Sequence, residues 1–296
     1  MAIVLLLGSN GWIGKQLIPL IKSRKDVVKL YESFVRVDNI EKLSELINVL
    51  KPTHIISTIG RTHGVIDGVT IPTIDYLEHE GKLRENIRDN LFSPVTLAKV
   101  CSDRNIHLTY LGTGCIFEYD TVHTDGFSES SKPNFFGSSY SIVKGFTDQL
   151  MTLYKDNVLN VRIRMPITAE SNSRDFITKI VSYEKICSIE NSMTVLDDLL
   201  PIMVDMALKK RVGTINLTNP GTISHEKILE MYKTIIDPSK TWKTMTYAEQ
   251  SLLLKSKRSN NALNTSKLVS MYPDVPHIED AVYKALKKRA LIFTSL

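Results

Sequence analysis

Three side chains between Leu111 and Lys144 have the residue types and the spacing of a proton-donating site. Thr113 ends an apolar run, and Tyr140 and Lys144 stand four residues apart. On a helix this spacing puts the phenol and the ammonium group on one face, where the positive charge favours the phenolate. A tyrosine with a lowered pKa can donate a proton to a carbonyl oxygen near neutral pH. With a hydride donor, the three residues would reduce a ketone.

A site for that hydride donor is predicted at the start of the chain. Residues 2–7 form an uninterrupted apolar run, typical of a strand buried in a parallel sheet, and a helix follows to about Lys22. The glycines between them allow a tight turn, a close approach to a pyrophosphate, and packing of the helix on the strand. A Tyr–Lys pair four residues apart is common by chance. Because this pair follows a strand and a glycine-rich turn, the catalytic interpretation is favoured. The predicted dinucleotide-binding residues are Gly8, Asn10, Gly11, Trp12, Ile13, Gly14, Gly60, Tyr140 and Lys144.

The rest of the pattern predicts the fold. Strands and helices alternate as far as Pro166, which indicates an α/β fold with a doubly wound, Rossmann-type parallel sheet. Beyond Pro166 helical patterns dominate, apart from a strand candidate at 213–217. We therefore predict a smaller, mostly helical substrate domain beside the dinucleotide-binding domain. The predicted bounds are 1–165 and 193–219 for the dinucleotide-binding domain, and 166–192 and 220–296 for the substrate domain.

Two local features lie between the third and fourth predicted strands. Residues 61–80 contain glycines and a proline, which indicates a loop. A long helix is predicted over 82–102, and Pro94 inside it has no N–H to donate to the carbonyl of Asn90. We expect that carbonyl to be free or bound to water. A structural bend of the helix is favoured over a role in a proton relay.

Composition argues against several classes of protein. Lysine and arginine total 37 against 32 acidic residues, and the basic clusters are short and scattered, which disfavours a nucleic-acid-binding face. Neither the three cysteines nor the seven histidines have the spacing of a disulfide framework or a metal site. No segment is long and apolar enough to span a membrane. We expect a cytosolic protein with no metal, nucleic acid or membrane partner.

The chain also resembles a known family. It is similar to the extended short-chain dehydrogenase/reductases, and within them to the epimerase-reductases that make nucleotide-linked L-rhamnose, including the C-terminal part of plant rhamnose synthases. The resemblance implies a UDP-4-keto-6-deoxyglucose substrate, a 3,5-epimerisation, and an NADPH-dependent 4-keto reduction to UDP-L-rhamnose. The matching segments are 113–120, 133–135, 140–144, 162–166, 175–179, 191–196, 199–201, 218–221 and 258–261.

The resemblance gives roles to Cys115 and Lys179. A 4-ketone acidifies the hydrogens at C3 and C5, so a thiolate can remove one and leave an enolate held by Thr113 and Tyr140. Deoxysugar reductases without epimerase activity commonly have an aromatic residue at the position of Cys115. By family analogy Cys115 is the base and Lys179 is the acid on the other face. From the residues alone, a buried cysteine and a solvated lysine are the default interpretations.

Cofactor and substrate contacts are predicted from fewer signals. Glu32 after the second strand would bind a ribose 2′-hydroxyl and favour NADH, whereas Arg36 suits the 2′-phosphate of NADPH. Relatives prefer NADPH, so NADPH is expected, with NADH as the alternative. The resemblance adds Pro166 to the cofactor-binding set, and Arg258 suits phosphate binding. The predicted substrate-binding residues are Thr62, Asn134, Phe135, Asn191, Ser192, Met193, Arg258 and Asn260.

These signals leave more than one function open. The primary hypothesis is the bifunctional epimerase-reductase. The alternatives are a monofunctional reductase of dTDP- or UDP-4-dehydrorhamnose, and a non-catalytic dinucleotide-binding regulator on the same fold. We expect a separate UDP-glucose 4,6-dehydratase upstream, because the chain has no additional domain to make the ketone. A homodimer is expected from the family.

Overall fold

The computed structural model describes residues 1–294 and forms two compact units. The first unit consists of Met1–Thr113, Ser138–Arg162 and Leu200–Ile215. The second consists of Gly114–Gly137, Ile163–Leu199 and the chain from Asn216 onward. Residues 114–137 thus pack with the second unit, although the predicted dinucleotide-binding domain contains them. The division into domains by function stays a prediction.

The secondary structure alternates as expected before the second half of the chain. The strands are β1 (Ala2–Leu7), β2 (Val27–Ser33), β3 (His54–Ser57), β4 (Gly64–Ile66), β5 (Val69–Ile71), β6 (His107–Thr113), β7 (Val158–Ile163), β8 (Pro166–Ile167), β9 (Lys185–Ile186), β10 (Thr194–Val195), β11 (Gly213–Asn216) and β12 (Lys243–Thr244). The helices are α1 (Trp12–Lys22), α2 (Ile40–Leu50), α3 (Lys82–Ile87), α4 (Ser93–Asp103), α5 (Ser139–Met151), α6 (Phe176–Val181), α7 (Leu196–Leu208), α8 (His225–Ile235), α9 (Tyr247–Leu253), α10 (Ser266–Met271) and α11 (Ile278–Thr294).

A six-stranded sheet forms the centre of the first unit, in the order β2-β1-β3-β6-β7-β11. β1 pairs in parallel with both β2 and β3, and β3 pairs in parallel with β6. The chain winds outward in opposite directions from β1, so β1 and β3 flank the switch point where doubly wound sheets bind their ligands. The predicted Rossmann-type α/β fold is confirmed.

The core of the first unit explains the apolar runs. Leu5, Leu7 and Ile55 on the sheet pack with Leu43 of α2 and Leu97 of α4, and all five side chains are buried. A strand covered on both faces needs apolar side chains at successive positions rather than at alternate ones. The helices therefore hold the carboxyl ends of β1, β3 and β6 in fixed register, where the predicted site residues begin.

The predicted loop over 61–80 is wrong. β4 and β5 form an antiparallel hairpin there, and a 3-10 helix follows at Ile74–Glu78. The two residues between the strands are Asp67 and Gly68, both with positive φ, at 48° and 79°. An Asp-Gly pair is the usual sequence of such a two-residue turn, because its twist matches that of the strands it joins. That dipeptide was the signal for a hairpin.

The helix predicted over 82–102 forms, but not as a single α-helix. α3 runs into a π-helical turn at Arg88–Phe92, and α4 then begins at Ser93 with Pro94 in its first turn. The carbonyl of Asn90 accepts a hydrogen bond from the Thr147 hydroxyl at 2.5 Å. The expectation that it would be free or bound to water is therefore wrong, because a side chain from α5 supplies the donor that Pro94 lacks.

Helices and short strand pairs make up the second unit. β8 pairs with β10, and β9 pairs with β12, both in parallel. Apolar side chains of α6, α8 and α11 form its core with Ile167 and Val195. None of the described helices combines the length and the apolar character needed to cross a membrane.

A buried ion pair connects two helices of the second unit. Arg289 of α11 donates to the carboxylate of Asp175 at 2.7 Å, and each side chain is at most 2% exposed. Asp175 also caps α6 by accepting from the backbone N–H of Thr178 at 2.7 Å. Removing one partner of a buried pair leaves the other charge without compensation, which is costly.

We expect Arg289→Ala to lower the free energy of unfolding by about 3–5 kcal/mol, since it leaves Asp175 as a buried carboxylate without its cation. Urea unfolding followed by circular dichroism measures the loss. The matched control is Lys288→Ala on the same helix, whose pair with Asp197 at 3.2 Å is exposed. That control should cost less than about 1 kcal/mol. Equal effects of the two substitutions would contradict the argument from burial.

Candidate active site

The glycine turn after β1 has the geometry of a phosphate-binding loop. Gly8 has a φ of +84°, and a Cβ on Gly14 would lie 2.2 Å from the carbonyl oxygen of Gly8. The N–H of Gly11 donates to that same carbonyl at 3.0 Å. In the described structure no side chain caps the start of α1, and its first turn has no acidic residue. The amide groups there fit the pyrophosphate of a dinucleotide.

Asn90 holds the other side of this region. Its side-chain oxygen accepts a hydrogen bond from the N–H of Arg61, and its side-chain NH2 group donates to the carbonyl of Arg61, each at 2.8 Å. These two hydrogen bonds fix the backbone of Arg61, directly after Gly60. No motif in the sequence indicates that the side chain of Asn90 organises this loop.

The predicted proton-donating residues occupy defined positions in the first unit. Thr113 is the last residue of β6, and Tyr140 and Lys144 lie one turn apart on α5. All three are buried, with exposed fractions of 5–8%. The hydroxyl of Ser138 caps α5 by accepting from the N–H of Ser141 at 3.1 Å, so the helix start that carries Tyr140 is fixed.

Lys144 has a partner that the sequence did not indicate. Its ammonium group donates to the hydroxyl of Tyr110 on β6 and lies 4.6 Å from the centre of that ring. Burial raises the pKa of Tyr110 well above its ordinary value, and the charges of Tyr140 and Asp148 raise it further. Tyr110 therefore stays a neutral phenol, which orients the ammonium group without neutralising it.

The residues assigned to epimerisation lie in the second unit. Cys115 follows β6 by two residues and is half-buried. Lys179 lies on α6, whose start Asp175 caps. The solvated lysine that is the default interpretation does not describe Lys179, which is only partly exposed.

The environment of Lys179 suits a proton donor. Burial lowers the pKa of its ammonium group, the charge of Arg174 lowers it further, Asp175 partly offsets both, and Arg258 adds to the lowering. A lysine with a lowered pKa transfers a proton more readily near neutral pH than an ordinary one. The structure thus brings Lys179 near Arg258, which the sequence predicted for the substrate, and near Arg174, which the sequence analysis missed.

Comparison with known proteins identifies the family. The model of the NAD dependent epimerase/dehydratase family matches residues 4–202, about two thirds of the chain. The chain belongs to this family. Protein L780 of Acanthamoeba polyphaga mimivirus is 51% identical over 287 residues, covering 96% of this chain and 97% of L780. The crystal structure of L780, described as a UDP-rhamnose synthase, superposes with a TM-score of 0.92, covering 97% and 99% of the two chains at 50% identity.

Two further family comparisons are informative. A bifunctional dTDP-4-dehydrorhamnose 3,5-epimerase/dTDP-4-dehydrorhamnose reductase of Arabidopsis thaliana is 40% identical, covering 95% of this chain and 91% of the plant protein. A dTDP-4-dehydrorhamnose reductase of Bacillus anthracis in complex with NADP has a TM-score of 0.76 at 17% identity, covering 96% and 98% of the two chains. At that identity the bacterial structure supports the fold alone.

The family segments predicted to bind the nucleotide sugar converge within the second unit. The side chains of Asn191 and Asn260 meet at 2.9 Å, and the N–H of Asn261 donates to Asn191 at 3.0 Å. The Ser192 hydroxyl accepts from the N–H of Leu263 at 2.9 Å. Segments 191–193 and 258–261 therefore form one hydrogen-bonded framework, and their role in binding the nucleotide sugar stays a prediction.

Other predicted site residues have structural partners. The side chain of Asn134 accepts from the N–H of Glu118 at 2.9 Å and donates to its carbonyl at 3.0 Å. Phe135 is 2% exposed and Met193 is fully buried in the core of the second unit. Thr62 follows β3 in the first unit, and Pro166 begins β8 in the second. Their roles toward substrate or cofactor stay predictions.

Proposed function

We propose that this chain epimerises UDP-4-keto-6-deoxyglucose at C3 and C5 and then reduces the 4-ketone, giving UDP-L-rhamnose. The observation that supports the proposal is the environment of the residues to which the two reactions are assigned. The first unit holds buried Thr113, Tyr140 and Lys144, and the second holds Cys115 with Lys179, whose pKa is lowered. The likeness to the mimivirus UDP-rhamnose synthase and to the plant epimerase/reductase supports the same class of substrate.

Epimerisation uses the acidity of the carbons beside the ketone. The thiolate of Cys115 removes a proton from C3 or C5, and the electron pair moves to the carbonyl oxygen to form an enolate. Hydrogen bonds from Thr113 and Tyr140 stabilise that oxygen. Lys179 then returns a proton to the opposite face of the same carbon, which inverts it. Before the second inversion Cys115 releases the proton it took and Lys179 regains one, both by exchange with solvent. One pair serving both carbons also requires the sugar to reposition between the two inversions.

Reduction uses the first unit's residues on the same carbonyl. When bound, the nicotinamide cofactor supplies a hydride to C4. Tyr140 donates its phenolic proton to the carbonyl oxygen, and Thr113 holds that oxygen by a hydrogen bond. The ammonium group of Lys144 stabilises the phenolate that Tyr140 becomes, while Tyr110 keeps the ammonium group in place.

We propose NADPH as the cofactor, on the basis of the charges that follow β2. An open groove of about 1000 Å³ is lined by residues 32–36 and 38–42. Arg36 lies there with its side chain 54% exposed, paired with Asp38 at 2.9 Å and with Asp89 at 3.1 Å. Arg61 and Arg88 share the Asp89 carboxylate, at 3.0 and 2.8 Å. Of these three guanidinium groups that of Arg36 is the most exposed, at 54% against 32% for Arg61 and 39% for Arg88, and it suits a 2′-phosphate.

Glu32, the residue that would favour NADH, has another partner. It lies within β2 rather than after it, and its carboxylate accepts from the ammonium group of Lys22 at 3.3 Å. This pair is exposed and therefore weak, so NADH stays the alternative cofactor.

Replacing Arg36 with alanine should raise KM for NADPH by about 10-fold or more, because a charge-assisted bond to a phosphate is lost. KM for NADH should change less than about twofold, since NADH has no 2′-phosphate. Steady-state kinetics with both cofactors measure the two values. Arg24→Ala is the matched control, because Arg24 is also paired with two aspartates, Asp26 and Asp205. A parallel rise for NADH and NADPH in Arg36→Ala would count against this assignment.

The substrate implies a supplier. A 4-keto-6-deoxy sugar arises when water is eliminated from UDP-glucose, so we propose a separate UDP-glucose 4,6-dehydratase upstream of this enzyme. Turnover of UDP-glucose by this protein alone would contradict that expectation. We also propose a homodimer, on the basis of the family. We further propose that the protein acts in the cytosol, because its three cysteines do not have the spacing of a disulfide framework.

The decisive experiment is product identification in heavy water. Purified protein is given UDP-4-keto-6-deoxyglucose and NADPH, and the product is analysed by NMR and mass spectrometry. We expect UDP-L-rhamnose with deuterium at C3 and C5. Reduction without deuterium at these carbons would favour the monofunctional reductase. Binding of NADPH without oxidation on any 4-keto nucleotide sugar would favour the regulator.

A further inference from the structure

Among the described residues arginine is buried at three places, and one of these three arginines differs from the other two. Arg162, Arg164 and Arg289 are each at most 2% exposed. Arg162 pairs with Asp148 and Arg289 pairs with Asp175, each at 2.7 Å. A guanidinium group stays charged in proteins, so burying it is costly unless an anion compensates. Both of these pairs follow that rule.

Arg164 uses its whole guanidinium group on neutral oxygens. Nε donates to the Ser192 carbonyl at 3.2 Å, and Nη1 donates to the Gly114 carbonyl at 2.9 Å and to the Ser259 hydroxyl at 3.0 Å. Nη2 donates to Asn191 Oδ1 at 2.6 Å and to the Ser259 carbonyl at 3.1 Å. All five N–H bonds are satisfied, yet none of the acceptors is a carboxylate. The hydrogen bonding of the Arg164 guanidinium group is complete, but none of these bonds supplies a negative charge to balance it.

The contacts of Arg164 lead directly to Cys115. The Gly114 carbonyl, whose peptide group includes the N–H of Cys115, accepts from Arg164 and also from the Asn261 side chain at 3.1 Å. A Cβ on Gly114 would lie 3.0 Å from Cγ of Arg164, so the stem of the arginine packs against this backbone. The peptide before Cys115 is therefore held in one orientation by two donors.

The electrostatic environment agrees with this placement. Burial lowers the pKa of Arg164, whereas the negative charge of ionised Cys115, and to a lesser degree that of Tyr119, raises it. Burial raises the pKa of Tyr119 and lowers that of His225 to about 4, so both are neutral at pH 7. Of the titratable groups whose charge acts on Arg164, Cys115 has the largest effect.

We propose that Arg164 is the positioning residue for the epimerisation base: its guanidinium group is the counter-charge of the Cys115 thiolate, and its bond to Gly114 orients that side chain. This inference rests on the proposed role of Cys115. It also explains why one buried arginine lacks a carboxylate, because a permanent anion would remove the charge that favours the thiolate. The same guanidinium group binds Asn191 and Ser259, so it connects the base to the segments predicted to hold the nucleotide.

The test measures alkylation of Cys115 by iodoacetamide in the full-length protein, followed by mass spectrometry of its peptide. Thiolates react and thiols do not, so the rate at pH 7 reports the ionised fraction. Arg164→Gln should react about tenfold more slowly than the native protein, because the opposite charge is lost. Arg164→Lys keeps a charge without the full set of bonds and should lose only about two- to threefold. At pH values where the thiol is fully ionised, all rates should agree within about twofold.

Each outcome decides the inference. Equal slowing in the glutamine and lysine variants at every pH would show a packing effect and overturn it, as would unchanged rates at pH 7. If the glutamine variant does not fold, the lysine variant decides: near-native reactivity supports the counter-charge, and a tenfold loss opposes it. The control is Arg162→Lys, because Arg162 is also buried but has a carboxylate partner. It should leave the alkylation rate of Cys115 unchanged.

Alkylation needs no turnover, so this inference and the proposed function fail separately. If Arg164 governs the reactivity of Cys115 but the native protein incorporates no deuterium at C3 and C5, the electrostatic pairing stands and the epimerase proposal does not. If deuterium is incorporated but alkylation is insensitive to Arg164, the opposite holds.

Discussion

Replacing Cys115 with alanine is expected to abolish epimerisation while leaving reduction nearly intact. Alanine has no group that can accept a proton from C3 or C5, and loss of a general base costs about 100-fold or more in rate. Reduction of an already epimerised 4-keto sugar should continue at close to the native rate, because Thr113, Tyr140 and Lys144 are unchanged. Deuterium incorporation and NADPH oxidation, measured on the same preparation, separate the two reactions.

A matched control for this variant exists in the same unit. Cys187 is 4% exposed, and burial raises the pKa of its thiol, so it is a structural cysteine. Cys187→Ala should therefore leave deuterium incorporation unchanged. If Cys115→Ala lost exchange and reduction to the same extent, the thiol would be needed for structure or binding, and its role as base would be wrong.

Replacing Tyr140 with phenylalanine is expected to lower kcat for reduction by about 100- to 10,000-fold, the range for loss of a general acid. The ring stays in place, so packing at the start of α5 is preserved. Binding of NADPH, followed by fluorescence, should weaken by no more than about tenfold, the loss of one hydrogen bond from Tyr140, since the glycine turn and Lys144 are unchanged. Deuterium exchange should also fall, because the phenol donates a hydrogen bond to the enolate oxygen.

The control for the tyrosine is Tyr154→Phe, which removes a hydroxyl from a partly buried ring just beyond α5. It should leave both reactions at native rates. A Tyr140→Phe enzyme that keeps more than about a tenth of the native kcat would mean that another group donates the proton. Neutral Tyr110, which contacts Lys144, would then be the first residue to test.

Local patterns predicted the elements of the first unit well. The apolar runs of β1 and β3, the glycine turn and the four-residue spacing on α5 each depend on contacts within a short stretch of chain. A strand covered on both faces or a helix with one polar face leaves its mark in consecutive residues. The hairpin at β4–β5 also had a local signal, Asp67-Gly68, but the glycines there were interpreted as a loop.

Partners that come from distant parts of the chain left no such mark. Thr147 supplies the donor for the Asn90 carbonyl across 57 residues, and Tyr110 meets Lys144 across 34. The charge around Lys179 depends on Arg258, almost 80 positions away. Such pairs depend on how elements pack, and a single sequence gives no periodicity from which to infer them.

The fold class, the glycine turn after β1 and the residue types of the predicted proton relay can be read from short stretches of the sequence. The resemblance predicted the substrate class and the roles proposed for Cys115 and Lys179. Only the tertiary structure distinguished among the buried arginines, giving Arg162 and Arg289 their carboxylates and leaving Arg164 beside Cys115 with neutral partners. The residue type is known from the sequence. Whether a buried charge is compensated depends on which groups from distant parts of the chain surround it.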